Sequence, residues 1–176
     1  SGLGPLVRGI RGHGAAWGEA DGDGWLDLSI GTFHTDGLPN LLLWNRSGAF
    51  VLDDQPALRV SARATGLVFA GLDNDGDLDL YLGSMPGPAG SRLAERAGRP
   101  LVGCTLFRND GGGRFTNISA GNGACPEQFG GRSVCVLDYD GDGLLDLLAG
   151  EDPLPGYNGS STHSSRLFKN VGGMQF

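Results

Sequence analysis

Apolar residues in this chain come in short runs rather than helical stripes. Asp27-Leu28-Ser29-Ile30-Gly31, Asp79-Leu80-Tyr81-Leu82-Gly83 and Asp146-Leu147-Leu148-Ala149-Gly150 each open on Asp and close on Gly. Runs this short and continuous, bounded by Gly, predict buried strands. A strand of small residues is predicted before each one, over Gly14 to Gly18, Thr65 to Ala70 and Arg132 to Leu137. A second pattern follows each run: Leu43-Trp44-Asn45-Arg46-Ser47-Gly48-Ala49-Phe50, then Leu106-Phe107-Arg108-Asn109-Asp110-Gly111, and then Leu167-Phe168-Lys169-Asn170-Val171-Gly172. Apolar residues, then Asn and Gly, then an aromatic, mark a hairpin. Each unit thus reads strand, loop, strand, connection, strand, turn, strand.

The units fall at 1–52, 53–118 and 119–176. Four strands per unit, three times over, predict an all-β fold: a β-propeller built of four-stranded antiparallel blades, about three of them in this chain. The 33 glycines follow no period of three, which excludes collagen, and 39% hydrophobic residues suffice for a packed core. No apolar run approaches the ~18 residues of a membrane span, so no direct membrane insertion is expected.

Charge sharpens the picture. The net charge is -7, which speaks against nucleic acid as a partner. The acid is concentrated: three windows hold 12 of the 20 carboxylates, and the remainder of the chain is net +5. The windows are Glu19-Ala20-Asp21-Gly22-Asp23-Gly24-Trp25-Leu26-Asp27, Gly71-Leu72-Asp73-Asn74-Asp75-Gly76-Asp77-Leu78-Asp79 and Asp138-Tyr139-Asp140-Gly141-Asp142-Gly143-Leu144-Leu145-Asp146. Carboxylates recur at positions 3, 5 and 9, and Gly at position 6 lets the backbone turn sharply.

Carboxylates two apart in a tight loop turn toward one point, and crowding them is costly unless a cation sits among them. An all-oxygen site of flexible geometry suits Ca²⁺. The expected donors are Glu19, Asp21, Asp23 and Asp27; Asp73, Asp75, Asp77 and Asp79; and Asp138, Asp140, Asp142 and Asp146. The backbone carbonyls at position 7, on Trp25 and Leu144 in the first and third loops, join them. Up to three ions are expected. An EF-hand is excluded because position 12 is Ile30, Leu82 and Ala149 rather than Glu, and because the flanks read as strands.

These motifs resemble the FG-GAP/VCBS repeat family of calcium-loop β-propellers found in integrin α-subunit heads. The run Gly131-Arg132-Ser133-Val134-Cys135-Val136-Leu137-Asp138 through Leu148, the hairpin Leu167 to Gly173, and Gly12-His13-Gly14-Ala15-Ala16-Trp17-Gly18 through Gly24 look closest to the cartilage-acidic-protein and ASPIC/UnbV-type secreted propellers. The resemblance implies a seven-bladed ring, a place outside the cytoplasm, Ca²⁺ in the strand-connecting loops and partners bound on one face. Two departures stand out. Gly71 replaces the first acidic ligand, so the site at 71–79 is expected to be the weakest, and Glu19 has a longer arm than Asp. Three blades do not close a ring, so the chain is expected to be a segment of a longer polypeptide whose remaining blades are its neighbours.

Insert loops are expected at 84–103, with a short helix near Leu93–Ala97, and at 151–165. Long loops on a rigid scaffold often carry recognition. Cys104 reads as a buried thiol. Cys125 and Cys135 are spaced to close a short disulfide loop in an oxidising compartment, although connectivity is not readable from sequence. His13, His34 and His163 lie in separate units without ligand spacing, and Trp17, Trp25 and Trp44 read as blade packing or loop cover. No nucleophile elbow, P-loop or zinc cluster is present. Glycosylation sequons occur at Asn45, Asn117 and Asn158.

The functional expectation is a non-enzymatic calcium-binding module, extracellular, periplasmic or at the cell surface, that binds a protein or glycan. The alternatives are a scaffold subunit of a larger assembly, or the non-catalytic part of a secreted enzyme.

Overall fold

The computed structural model describes residues 2–32, 39–60, 62–84, 103–126, 129–150 and 165–176. Residues 85–102 and 151–164 of the two insert loops, with the Leu93–Ala97 segment, Asn158 and His163, lie outside these residues, as does His34.

The described chain forms three antiparallel sheets. The first runs β1 (Gly12–Gly18), β2 (Asp27–Thr32), β3 (Leu41–Arg46) and β4 (Ala49–Leu52), paired in that order. The second has the same order: β5 (Ala64–Ala70), β6 (Asp79–Ser84), β7 (Thr105–Asn109) and β8 (Phe115–Asn117). The third comprises β9 (Ser133–Leu137), β10 (Asp146–Gly150) and β11 (Arg166–Phe168), with β10 in the middle. After β11 the chain turns, and the Val171 N–H donates to the Gln175 carbonyl at 2.8 Å, as Asp110 does to Arg114 at 2.7 Å before β8. The helical elements among the described residues are a five-residue helix, α1 (Leu3–Val7), and a 3₁₀ turn at Pro56–Leu58, neither anticipated from the sequence. No helix among the described residues is long and apolar enough to cross a membrane.

The sheets are partial propeller blades stacked face on face. β5 packs against both β1 and β9, so the first strands of successive sheets lie side by side. One core fills the space between sheets one and two, with Leu42 and Trp44 facing Leu80, Leu82, Phe107 and Phe115. The other lies between sheets two and three, with Ala70, Tyr81 and Leu106 facing Leu147, Ala149 and Phe168. The period-2 alternation of each strand therefore serves two interfaces, which is why the strands read as continuous apolar runs instead of alternating ones.

Glycine permits the close approach at the inner strands. A Cβ on Gly83 would lie 2.2 Å from the carbonyl oxygen of Gly131, so no other residue fits there without moving one backbone away from the other.

The cysteines depart from one expectation. All three are free thiols, and Cys104 is buried as read. The Cys125–Cys135 disulfide that the spacing allows does not form. Cys125 packs into the core between sheets two and three, whereas alternation along β9 sends Cys135 to the opposite, exposed face.

Candidate metal centre

Each acidic window forms the loop between the first and second strands of its sheet, and the ninth-position Asp opens the second strand. Asp27, Asp79 and Asp146 are fully buried. Each is held by the same pair of hydrogen bonds. The backbone N–H at loop position 2 donates to Oδ2: Ala20 to Asp27 at 3.0 Å, Leu72 to Asp79 at 2.8 Å and Tyr139 to Asp146 at 3.1 Å. The backbone N–H of an Asn near the end of the third strand donates to Oδ1: Asn45 to Asp27 at 2.9 Å, Asn109 to Asp79 at 2.9 Å and Asn170 to Asp146 at 2.7 Å. Burial nevertheless raises the carboxyl pKa of Asp27, and pushes that of Asp79 up to about 6, against these stabilising N–H groups.

The loop backbone curls around the remaining carboxylates. Position 6 is left-handed at Gly24, Gly76 and Gly143, with φ of 86°, 104° and 86°. In loop three, Asp138 Oδ1 accepts from the Gly141 and Asp142 N–H groups at 2.8 and 3.1 Å, and Oδ2 accepts from Gly143 at 2.9 Å. In loop one the longer Glu19 does the same work: its Oε1 accepts from Gly22 at 2.7 Å and Asp23 at 3.1 Å.

Carboxylate oxygens of Glu19, Asp21 and Asp27 all lie within 4.8 Å of one another, and so do those of Asp138, Asp140 and Asp146. These two trios bring positions 1, 3 and 9 together. Position 5 sits beside them: Asp23 Oδ1 accepts from Trp25 N–H at 2.9 Å and Asp142 Oδ1 from Leu144 N–H at 3.0 Å, which lowers both carboxyl pKa values.

Loop two gathers no such trio among the described residues, as the absence of a carboxylate at Gly71 predicts. Asp75 N–H donates to Asp73 at 3.3 Å and Asp77 N–H to Asp75 at 2.9 Å. Desolvation, with the charge of Asp75 adding to it, raises the Asp73 pKa. The Asp77 carbonyl oxygen would stand 3.3 Å from a Cβ on Gly71, so it points at the place a first-position side chain would fill.

A protein cation covers each complete trio. Arg46 Nη1 contacts Asp21 and reaches Asp23 at 2.8 Å. Lys169 Nζ contacts Asp140 and reaches Asp142 at 3.3 Å, and these carboxylates raise its pKa. Positive charge therefore already stands where the carboxylates converge. In loop two the corresponding Arg108 pairs instead with Asp110 at 2.7 Å.

A family model for the FG-GAP-like repeat matches residues 9–82 and 99–149. The chain belongs to the FG-GAP-like repeat family. The two matched stretches contain all three acidic loops, and the three sheets are the partial blades that such repeats form. A search of curated proteins gave no match to the chain. In both complete FG-GAP loops the donor set is hard oxygen, anionic and clustered. This fits a divalent cation such as Ca²⁺, held in loop one by Glu19, Asp21 and Asp27 and in loop three by Asp138, Asp140 and Asp146. When bound, Ca²⁺ supplies positive charge and ligation that tie the two flanking strands together.

Sequence reasoning missed three things in this site. The asparagines Asn45, Asn109 and Asn170 read in the sequence as turn residues, yet each fixes the buried ninth Asp. Position 4 is left-handed in all three loops, at Gly22, Asn74 and Gly141. The covering cations stand at the end of the third strand, Arg46 as its last residue just after its Asn, and Lys169 just past it and just before its Asn. The recurrence of Asn two residues after Leu43, Phe107 and Phe168 was the available signal.

Proposed function

We propose that this chain is a calcium-stabilised β-propeller module that acts outside the cytoplasm, extracellular, periplasmic or at the cell surface, by binding a protein or glycan, without catalysis of its own. The observation that carries the calcium role is the repeated trio of carboxylates closed by a side-chain cation. Crowded carboxylates that need Arg46 or Lys169 for balance offer the greater gain to a divalent ion. The ion is structural: its binding free energy adds to folding. Calcium titration followed by calorimetry and by melting temperature tests this. Saturable binding with a raised melting temperature supports it, and neither effect at millimolar calcium removes it.

The scaffold reading is favoured by a separate observation. Cys135, Leu137, Leu148 and Leu167 share one face of the third sheet, and the three leucines are 39%, 39% and 46% exposed. The equivalent face of sheet two, with Val68, Ala70, Tyr81 and Leu106, is covered by sheet three. The occupant that fits the open face is a further sheet of this same repeat, offering bulky residues at the positions of Leu147 and Phe168. On this reading the chain works among the remaining blades of a larger propeller.

The two described sequons differ in exposure. Asn45 is buried with its Nδ2 bonded to the Leu26 carbonyl at 3.0 Å, so its sequon is not open to glycosylation, whereas Asn117 is exposed.

A further inference from the structure

The three acidic loops are joined by one line of hydrogen bonds that crosses both sheet interfaces. Asp27 accepts from the Ala20 N–H at 3.0 Å, and the Ala20 carbonyl accepts from Asn109 Nδ2 at 2.7 Å. The Asn109 N–H donates to Asp79 at 2.9 Å, and Asp79 accepts from the Leu72 N–H at 2.8 Å. The Leu72 carbonyl accepts from Asn170 Nδ2 at 2.7 Å, and the Asn170 N–H donates to Asp146 at 2.7 Å. Ala20, Leu72, Asn109 and Asn170 are all 2% exposed or less, so water does not compete for these bonds. Buried, fully connected polar chains of this kind are rigid and their members move together.

Each asparagine therefore has two tasks. Its backbone fixes the buried aspartate of its own loop, while its side chain holds the loop of the preceding sheet. Asn109 and Asn170 use the second Nδ2 proton on their own loops, at Leu78 (3.2 Å) and Leu145 (3.1 Å). Loop two, which lacks the first carboxylate, is the middle of the line, joined to loop one through Asn109 and to loop three through Asn170.

We propose that Asn109 and Asn170 are positioning residues that couple the three loops, so that a divalent cation taken up by one loop raises the affinity of its neighbours. The proposal rests on the calcium reading above. A cation at loop three fixes Asp146, hence Asn170, hence Leu72. Part of the ordering cost of loop two is then already met, and this is positive cooperativity without a change of shape. The incomplete middle loop fills last and gains most.

The test uses calcium itself with the whole chain and with Asp140→Ala. Asp140 is exposed, belongs to the loop-three trio and lies outside the hydrogen-bonded line. Calorimetry is expected to show the remaining loops binding calcium about fivefold more weakly in Asp140→Ala. Amide exchange at Leu72 in calcium is expected to speed up. Adding Asn170→Ser is expected to abolish the difference, because the line is then already cut. If Asn170→Ser does not fold, the Leu72 exchange rates of the parent chain and Asp140→Ala decide the matter. Equal affinity of the remaining loops and equal Leu72 exchange overturn the coupling while leaving calcium binding intact. No calcium uptake by the parent chain overturns both.

Discussion

Asn170 and Asp146 stand 24 residues apart in sequence, and the backbone N–H of the asparagine donates to Oδ1 of the aspartate at 2.7 Å. The same contact joins Asn109 to Asp79 and Asn45 to Asp27. It makes the end of the third strand part of the wall of an acidic loop, and so ties the candidate metal centre to the sheet.

The three asparagines are expected to differ in worth. Asn109 and Asn170 are fully buried and donate to two carbonyls each. Asn45 Nδ2 donates to Leu26 alone among the described residues. Alanine at Asn109 or Asn170 leaves buried carbonyls without a donor and is expected to cost about 2–3 kcal/mol, against about 1 kcal/mol at Asn45. Urea unfolding of the three variants checks the order.

Lys169→Ala is expected to tighten calcium binding at loop three. The ammonium shares Asp140 and Asp142 with any incoming cation, so its removal ends a competition. Calorimetry at low salt reads the change. Unaltered or weaker binding contradicts the placement of Lys169 over the site.

The metal-free chain is expected to gain stability on mild acidification. Asp79 has a folded pKa of about 6 against an ordinary 3.8, and Asp27 is raised as well. The folded state then holds the proton more tightly than the unfolded chain. This contribution is complete below pH 3.8 and is lost as pH rises through about 6. With chelator present, the melting temperature is expected to climb between pH 7 and pH 5. Excess calcium is expected to flatten or reverse that slope, because the cation displaces the proton.

Gly83→Ala tests the stacking of the sheets. Its Cβ would meet the Gly131 carbonyl at 2.2 Å, backbone against backbone. A loss of about 3 kcal/mol is expected, whereas alanine at the exposed Gly4, with nothing within 4 Å, is expected to change little.

Cys135 reports on the open face of sheet three. If a further sheet of the repeat covers that face in a longer polypeptide, the thiol resists labelling there and reacts readily in the 176-residue chain alone. Equal reactivity in both contradicts the scaffold reading.

Much of the fold was legible because the loop and strand signals are local. Asp at position 9 marks where β2, β6 and β10 begin, and Gly at position 6 marks the turn. What stayed hidden was set by register across the sheet. The distance from the ninth Asp to its Asn is 18, 30 and 24 residues in the three units, because inserts of different length intervene. The bond is constant while the spacing is not, so no fixed motif reveals it. The free thiols were hidden for a related reason: proximity in sequence placed Cys125 near Cys135, but strand alternation turned them to opposite sides.

Thermal melting of the chain with excess chelator and then with millimolar calcium puts the central claim to its most direct test. If cations bind the two carboxylate trios and join their flanking strands, calcium raises the midpoint by several degrees, and the Asp21→Ala, Asp140→Ala double variant loses the rise. An identical midpoint with and without calcium, together with no bound metal by elemental analysis, would contradict the account.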